Sequence, residues 1–205
     1  MVSLGTAQEK NKKTTTHMEK IIIRQAVPED ASFIAKVVCT AIASDEGLRS
    51  YCGEEYEKVI TQIAATEGTQ YSWENALIAE VDGKPAGGVV AYDGACLHPL
   101  RSKTWDIIEE QTGKRPSIAD ETAAGECYLD SLAVMPEYRK KGIAKALLLA
   151  LSEKVAEMGI DYVGLLVDED NEKGQALYKS VGFTYVNDSE FLGHKMYHLQ
   201  RKSGK

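Results

Sequence analysis

One stretch restricts the fold more than any other. An apolar run at residues 128–134 is followed by the basic, glycine-containing turn Arg139-Lys140-Lys141-Gly142-Ile143-Ala144. A strongly helical run at 145–158 and a second apolar run at 162–167 come next. Strand, turn, helix and strand at this spacing predict a βαβ unit with a right-handed crossover and parallel strands. Residues 162–167 are almost continuously apolar, as expected of a strand covered on both faces. Met135-Pro136 ends the first strand, because proline cannot continue a ladder. The helix carries Ala144, Leu147, Leu148, Leu151, Val155 and Met158 on one stripe, and Gly159 suits its C-terminal exit.

The turn between strand and helix has a chemistry of its own. Backbone N–H groups in the first turn of a helix lack intrahelical acceptors, and the aligned peptide dipoles add partial positive charge there. An anion settles at such a place. Gly142 removes a side chain where a ligand would come close, and Arg139, Lys140, Lys141 and Lys145 add positive field. The 205-residue chain has a formal net charge of −7, so this basic cluster stands against an acidic background. That balance argues against a nucleic-acid binder, whose footprint is a basic face, and for a small anionic ligand.

Other features exclude further classes. The four cysteines, Cys39, Cys52, Cys96 and Cys127, form no C-x-x-C pair, and neither they nor His98, His194 and His198 have metal-binding spacing, so no metal is expected. Free cysteines fit a reducing compartment. No run is apolar enough to span a membrane, and no apolar h-region opens the chain, so a cytoplasmic protein without a membrane partner is the default expectation. No nucleophile–histidine arrangement is evident, which favours direct transfer chemistry over a covalent enzyme intermediate.

The remaining chain fits one domain over residues 18–205, behind a polar tail or extension at 1–17 that is expected to be disordered. A strand at 21–26 is followed by a helix opened by Pro28-Glu29-Asp30, with Ile34, Val37, Val38, Ala41 and Ile42 on its buried face. A second helix starts near Glu54, with Tyr56, Val59, Ile60, Ile63 and Ala64 as its stripe and Gly68 as its stop. Runs at 76–81 and 86–92 flank Asp82-Gly83-Lys84 and predict a hairpin; Gly87 and Gly88 in the second run suggest a bulge, a close backbone approach or an edge twist. Residues 93–125 read as an insertion with one short helix at 104–111, either shaping a substrate pocket or decorating the surface. After the βαβ unit, a helix at 172–181 and two antiparallel strands at 183–186 and 195–199 complete the chain, with the connection through Asn187-Asp188-Ser189-Glu190.

Two blocks now carry a resemblance. Arg139-Lys140-Lys141-Gly142-Ile143-Ala144 is similar to the Arg/Gln-x-x-Gly-x-Gly/Ala pyrophosphate loop of the GNAT superfamily of acyl-CoA-dependent N-acyltransferases. Asn171 and Ala176-Leu177-Tyr178-Lys179-Ser180-Val181-Gly182-Phe183 resemble that family's last block in type and spacing. A six-residue loop alone is weak; loop, preceding strand and second block together are specific. The resemblance covers residues 21–199 in element order. It implies an α+β, mixed α/β fold of GNAT type: a twisted mixed sheet of about six to seven strands flanked by about four or more helices, with the parallel pair splayed at the acyl-CoA site.

It also implies acetyl-CoA as co-substrate and acetyl transfer to a primary amine on a small molecule or peptide, by direct attack on the thioester. The implied donor contacts are Leu132, Ala133 and Val134 on the splayed strand, the loop Arg139, Lys140, Lys141, Gly142, Ile143 and Ala144 with Lys145, and Asn171 and Tyr178. A backbone N–H near Val134 is the implied oxyanion donor, and Tyr178 the implied acid for the departing thiolate, against helix packing as its alternative role. For the base, Glu126 and Asp130 lie an even number of residues from Val134, so regular pleating puts them on one face. A structural hydrogen bond for Asp130 and a solvated strand start for Glu126 remain equal alternatives. Asn171 fits a helix cap, a pantetheine contact, or both. A homodimer is compatible with these features. The competing function is an acyl-CoA-binding or sensing module without turnover.

Overall fold

The computed structural model describes residues 20–204, so the expected tail at 1–17 lies outside the described residues. A seven-stranded sheet runs in the order β1-β2-β3-β4-β5-β7-β6. Its strands are β1 Ile21–Gln25, β2 Ala76–Val81, β3 Lys84–Asp93, β4 Glu126–Val134, β5 Tyr162–Asp168, β6 Thr184–Phe191 and β7 His194–Lys202. The helices are α1 Ala31–Ile42, α2 Asp45–Cys52, α3 Tyr56–Ala65, α4 Leu97–Thr112, α5 Ile143–Glu157 and α6 Glu172–Ser180. All strand pairs are antiparallel except β4 with β5. The sheet is therefore mixed, with its one parallel pair inside the βαβ unit expected from the sequence.

The two faces have separate cores. On one, Leu147, Leu148, Leu151 and Val155 of α5 pack on Val89, Cys127, Leu129, Val163 and Leu165, joined by Val181 and Phe183 at the end of α6. On the other, α1 to α4 bury Ile34, Val38, Ile60, Ile63 and Ile108 against Ile78 and Val90. Ile143 takes the buried place in the α5 stripe, while Met158 is half exposed at the helix end. Gly87 and Gly88 show why that strand needs glycine. A Cβ on Gly87 would sit 2.9 Å from the Ala133 carbonyl oxygen, and one on Gly88 would sit 3.0 Å from Val37. Both are close approaches, one on each face.

The sequence-based boundaries need four corrections. A helix not expected from the sequence, α2, is capped by the Ser44 hydroxyl, which accepts from the Gly47 N–H at 3.0 Å. Helix α4 begins seven residues before the expected 104, because Pro99 falls in its first turn, where a missing N–H costs nothing. The last strands are longer than expected. Their turn is at Leu192-Gly193, both at positive φ, and the polar run at 187–190 lies within β6. Finally, β6 carries an irregularity between Tyr185 and Asn187, which lets a turn-like composition stay in a strand.

Candidate active site

The pairing of β4 defines the site. Its ladder with β5 covers only Glu126–Tyr128 opposite Tyr162–Gly164. Beyond that point β4 stays on β3 and β5 stays on β7, so the two parallel strands separate. The β3–β4 register shifts where Val90 faces Ser131 and Ala91 faces Leu129, which leaves Asp130 as the extra residue of a bulge. The bulge changes the phase of the strand. Cys127 and Leu129 face the α5 core before it, and Leu132 and Val134 pack against the same core after it. The backbone of β4 on the side of the gap thus loses its ladder where a ligand with amide groups could complete it.

At the far end of β4 the chain turns into α5. Arg139 Nε donates to the Val134 carbonyl at 3.1 Å, and Lys141 lies over the Tyr138 ring with Nζ 5.6 Å from its centroid. Gly142 is the residue before α5 and has φ 81°, a left-handed conformation that glycine adopts without strain. A Cβ there would meet no protein atom within 4 Å. The glycine is needed for its backbone, and the space above it is open. Arg139, Lys140, Lys141 and Lys145 are all exposed around this helix start. Ile143 is buried, so only its backbone faces the turn.

On the opposite face, the two candidate bases differ sharply. Glu126 is buried and saturated: Thr122 Oγ1 donates to Oε1 at 2.8 Å, Gln200 Nε2 donates to Oε2 at 2.7 Å, and His198 Nε2 lies 2.8 Å from Oε2. Burial pushes its carboxyl up, but these bonds outweigh it and hold it below the usual range. Gly164 makes the room, since a Cβ there would overlap the Glu126 carboxylate. Glu126 is therefore not a solvated strand start.

Asp130 is half-buried. Ser131 Oγ donates to Oδ1 at 2.8 Å, and the Tyr92 hydroxyl lies 3.4 Å from Oδ2. Burial pushes its pKa up to about 6, against the hydrogen bonds and the more distant Arg101 charge. No cation pairs with it among the described residues. Tyr51, Tyr71, Tyr92 and Tyr128 all lie within reach of its charge, and the Tyr92 and Tyr128 rings pack at a tilt of 57° with centroids 5.9 Å apart.

Tyr178 on α6 packs edge-on against Phe183 at 5.6 Å, on the α5 side of the sheet. Burial pushes its hydroxyl up to about 12, so it keeps its proton at neutral pH. That hydroxyl has no hydrogen-bond partner among the described residues. Asn171 caps α6: its Oδ1 accepts from the Gly174 N–H at 2.9 Å. Tyr178 thus lies on the α5 side of the sheet and Asp130 beside Tyr92 on the other, while Glu126 and Asn171 are fixed by hydrogen bonds, those of Glu126 reaching His198 and Gln200 on β7.

Sequence reasoning did not single out Gln70, Tyr92, Arg101 and Glu121, a network that reaches Asp130 through Tyr92. They come from four separate segments, and only Arg101 and Glu121 fall in the 93–125 insertion that the sequence singled out.

The fold and the splayed parallel pair define an acetyltransferase-like protein. Comparison with known proteins agrees: the Acetyltransferase (GNAT) family model matches residues 45–183, and the chain belongs to that family. It is similar to a solved acetyltransferase structure, at 30% identity and a TM-score of 0.72, over 89% of this chain and 99% of that one. An N-acetyltransferase structure from Staphylococcus aureus Mu50 matches at 27% identity and a TM-score of 0.75, over 87% of this chain and 99% of that one. Thialysine N-epsilon-acetyltransferase of Sus scrofa is 24% identical, over 84% of this chain and 89% of that protein. Mycothiol acetyltransferase of Pseudarthrobacter chlorophenolicus is 32% identical over 100 residues, 49% of this chain. The chain spans 28% of that relative's length. No helix among the described residues is long and apolar enough to cross a membrane.

Proposed function

We propose that this protein transfers an acetyl group from acetyl-CoA to a primary amine. The observation that carries the proposal is the separation of β4 from β5 after Tyr128 and Gly164, together with the Asp130 carboxylate, which pairs with no cation among the described residues, and the Tyr178 phenol, which has no hydrogen-bond partner among them. The co-substrate's pyrophosphate fits the start of α5, where backbone N–H groups and four exposed basic side chains converge. Its amide-bearing arm fits the open edge of β4 at Leu132, Ala133 and Val134, and reaches towards Asn171 and Tyr178 on α6.

Asp130 is the favoured base, and Glu126 a structural anchor. An ammonium has no lone pair, so a proton must leave before attack. Asp130 Oδ2 has only the long 3.4 Å contact to Tyr92 and its pKa is raised to about 6, whereas Glu126 has three hydrogen bonds and its pKa lowered. The acceptor ammonium gives a proton to Asp130, directly or through water. Its nitrogen then attacks the thioester carbonyl carbon. The oxyanion takes a hydrogen bond from a backbone N–H near Val134. The C–S bond breaks and Tyr178 donates its proton to the sulfur. The nitrogen releases its second proton to solvent, which gives the neutral amide. Asp130 passes its proton to solvent, and solvent returns a proton to Tyr178. An unpaired carboxylate among tyrosines favours a cationic acceptor, small molecule or peptide, over a neutral or anionic one. Release of free thiol from acetyl-CoA across a panel of amines tests the reading. Acetyl-CoA binding without amine-dependent release would instead support a sensing module.

A further inference from the structure

Around Tyr92 the hydrogen bonds are directional. Its hydroxyl oxygen accepts from Gln70 Nε2 at 3.0 Å, and it lies 2.7 Å from Glu121 Oε1 and 3.4 Å from Asp130 Oδ2. A tyrosine has one proton to give. The shorter contact takes it, so Tyr92 donates to Glu121. The Tyr92 oxygen that faces Asp130 is then left as an acceptor.

Glu121 is held in place to do this. Its side chain is buried, and Arg101, also buried, donates to Oε2. Arg101 further donates to Asp120 Oδ1 at 2.6 Å and to the carbonyls of Ile118 and Ala119, and lies over the Trp105 ring at 5.3 Å. Gln70 Nε2 adds a bond to Glu121 Oε1 at 3.1 Å. Gly94 lets the chain at Thr122 and Ala123 come close, where any Cβ would overlap the Ala123 carbonyl. Such a buried, fully engaged ion pair is costly to assemble and is weak evidence of a stabilising role by itself.

We propose that Glu121 is a positioning residue for the acyl transfer: by holding the Tyr92 proton, it denies that proton to Asp130 and leaves Asp130 Oδ2 free for the acceptor amine. The inference rests on the base assignment above. Ionised Asp130 then receives one hydrogen bond, from Ser131, and protonated Asp130 can donate to the Tyr92 oxygen. Hydrogen bonding to the neutral form and its absence for the charged form both favour proton uptake. The other groups facing Asp130 are Arg101 from α4, Tyr51 from α2, Tyr71 from the segment before β2, and Tyr128 from β4 itself. Of these, only Arg101 carries a fixed charge.

The test is a double-mutant cycle read by pH. In Glu121→Gln the acceptor for the Tyr92 proton is weakened and an amide N–H competes for its place, so Tyr92 turns its proton to Asp130. The acid limb of kcat/KM for the amine then moves down by about one pH unit. In a Tyr92→Phe background the same substitution moves nothing. An unmoved limb in E121Q would overturn the proposal. An equal shift in both backgrounds would also overturn it, because the effect would then come from the freed charge of Arg101. Carbon-13 NMR titration of the Asp130 carboxyl reads the same cycle without turnover. It separates failure of this inference from failure of the acetyl-transfer reading, and Y92F alone supplies a folded reference should E121Q not fold.

Discussion

The two sides of the gap between β4 and β5 are built on opposite principles. The proposed donor side at residues 139–145 is local, exposed and made largely of backbone: a left-handed glycine, the start of a helix, and basic side chains around them. The proposed acceptor side is non-local, largely buried and made of side chains. Asp130, Tyr92, Gln70, Glu121 and Arg101 meet from two strands, a helix and two connecting segments. A site of the first kind tolerates changes of side chain as long as its backbone conformation and charge survive. A site of the second kind depends on each hydrogen bond, because an unpaired buried group costs its full desolvation.

Substitutions sharpen that contrast. The largest effect is expected for Gly142→Glu, which places bulk and negative charge in the open space before α5 and forces a non-glycine residue to φ 81°. Acetyl-CoA binding measured by calorimetry should vanish while the fold persists; unchanged affinity would remove the pyrophosphate assignment. Asp130→Asn comes next, with kcat/KM for the amine falling about 10²–10⁴-fold and acetyl-CoA affinity retained. The wild-type profile should rise as pH passes through about 6, where Asp130 ionises, and the variant should lack that limb.

The same residue makes a stability prediction of opposite sense. Its folded pKa lies above the ordinary aspartate value of 3.8, so the folded state resists ionisation, and stability falls as pH rises between 3.8 and about 6. The Asn variant should therefore melt higher than wild type at neutral pH, which thermal denaturation can check. Tyr178→Phe should lower turnover about 10²-fold, the low end for a general acid, with little change in acetyl-CoA affinity. Equal turnover would leave Tyr178 as helix packing only. The smallest effect is structural: Gly164→Ala displaces the Glu126 carboxylate from its three partners and should cost about 1–3 kcal/mol in denaturant unfolding.

This contrast also explains what could be read from the chain. The donor turn, the βαβ unit and the Asp82-Gly83 hairpin are encoded within a few residues each, and positive φ at Asp82 and Gly83 matches the expected turn. The Leu192-Gly193 turn is less visible because leucine rarely takes φ 52°, and the polar residues beside it are stronger turn formers. Alternation put Glu126 and Asp130 on the face of Val134, but the bulge at Asp130 shifts the phase and turns Val134 to the α5 side, and alternation gave no means to rank the two acids. The ranking depends on Thr122, His198 and Gln200 gathering at Glu126, and on a bulge that isolates Asp130. Glu121 lies nine residues before Asp130, but its link runs through Tyr92 on a different strand. Partners of that kind are set by tertiary packing, and no local pattern announces them.

The most direct measurement is amine-dependent release of free thiol from acetyl-CoA, followed across pH. A cationic primary amine should drive release, with kcat/KM rising through about pH 6 in the wild type and the limb absent in Asp130→Asn. Acetyl-CoA bound at the start of α5 with no amine-dependent thiol at any pH would contradict acyl transfer in the gap between β4 and β5.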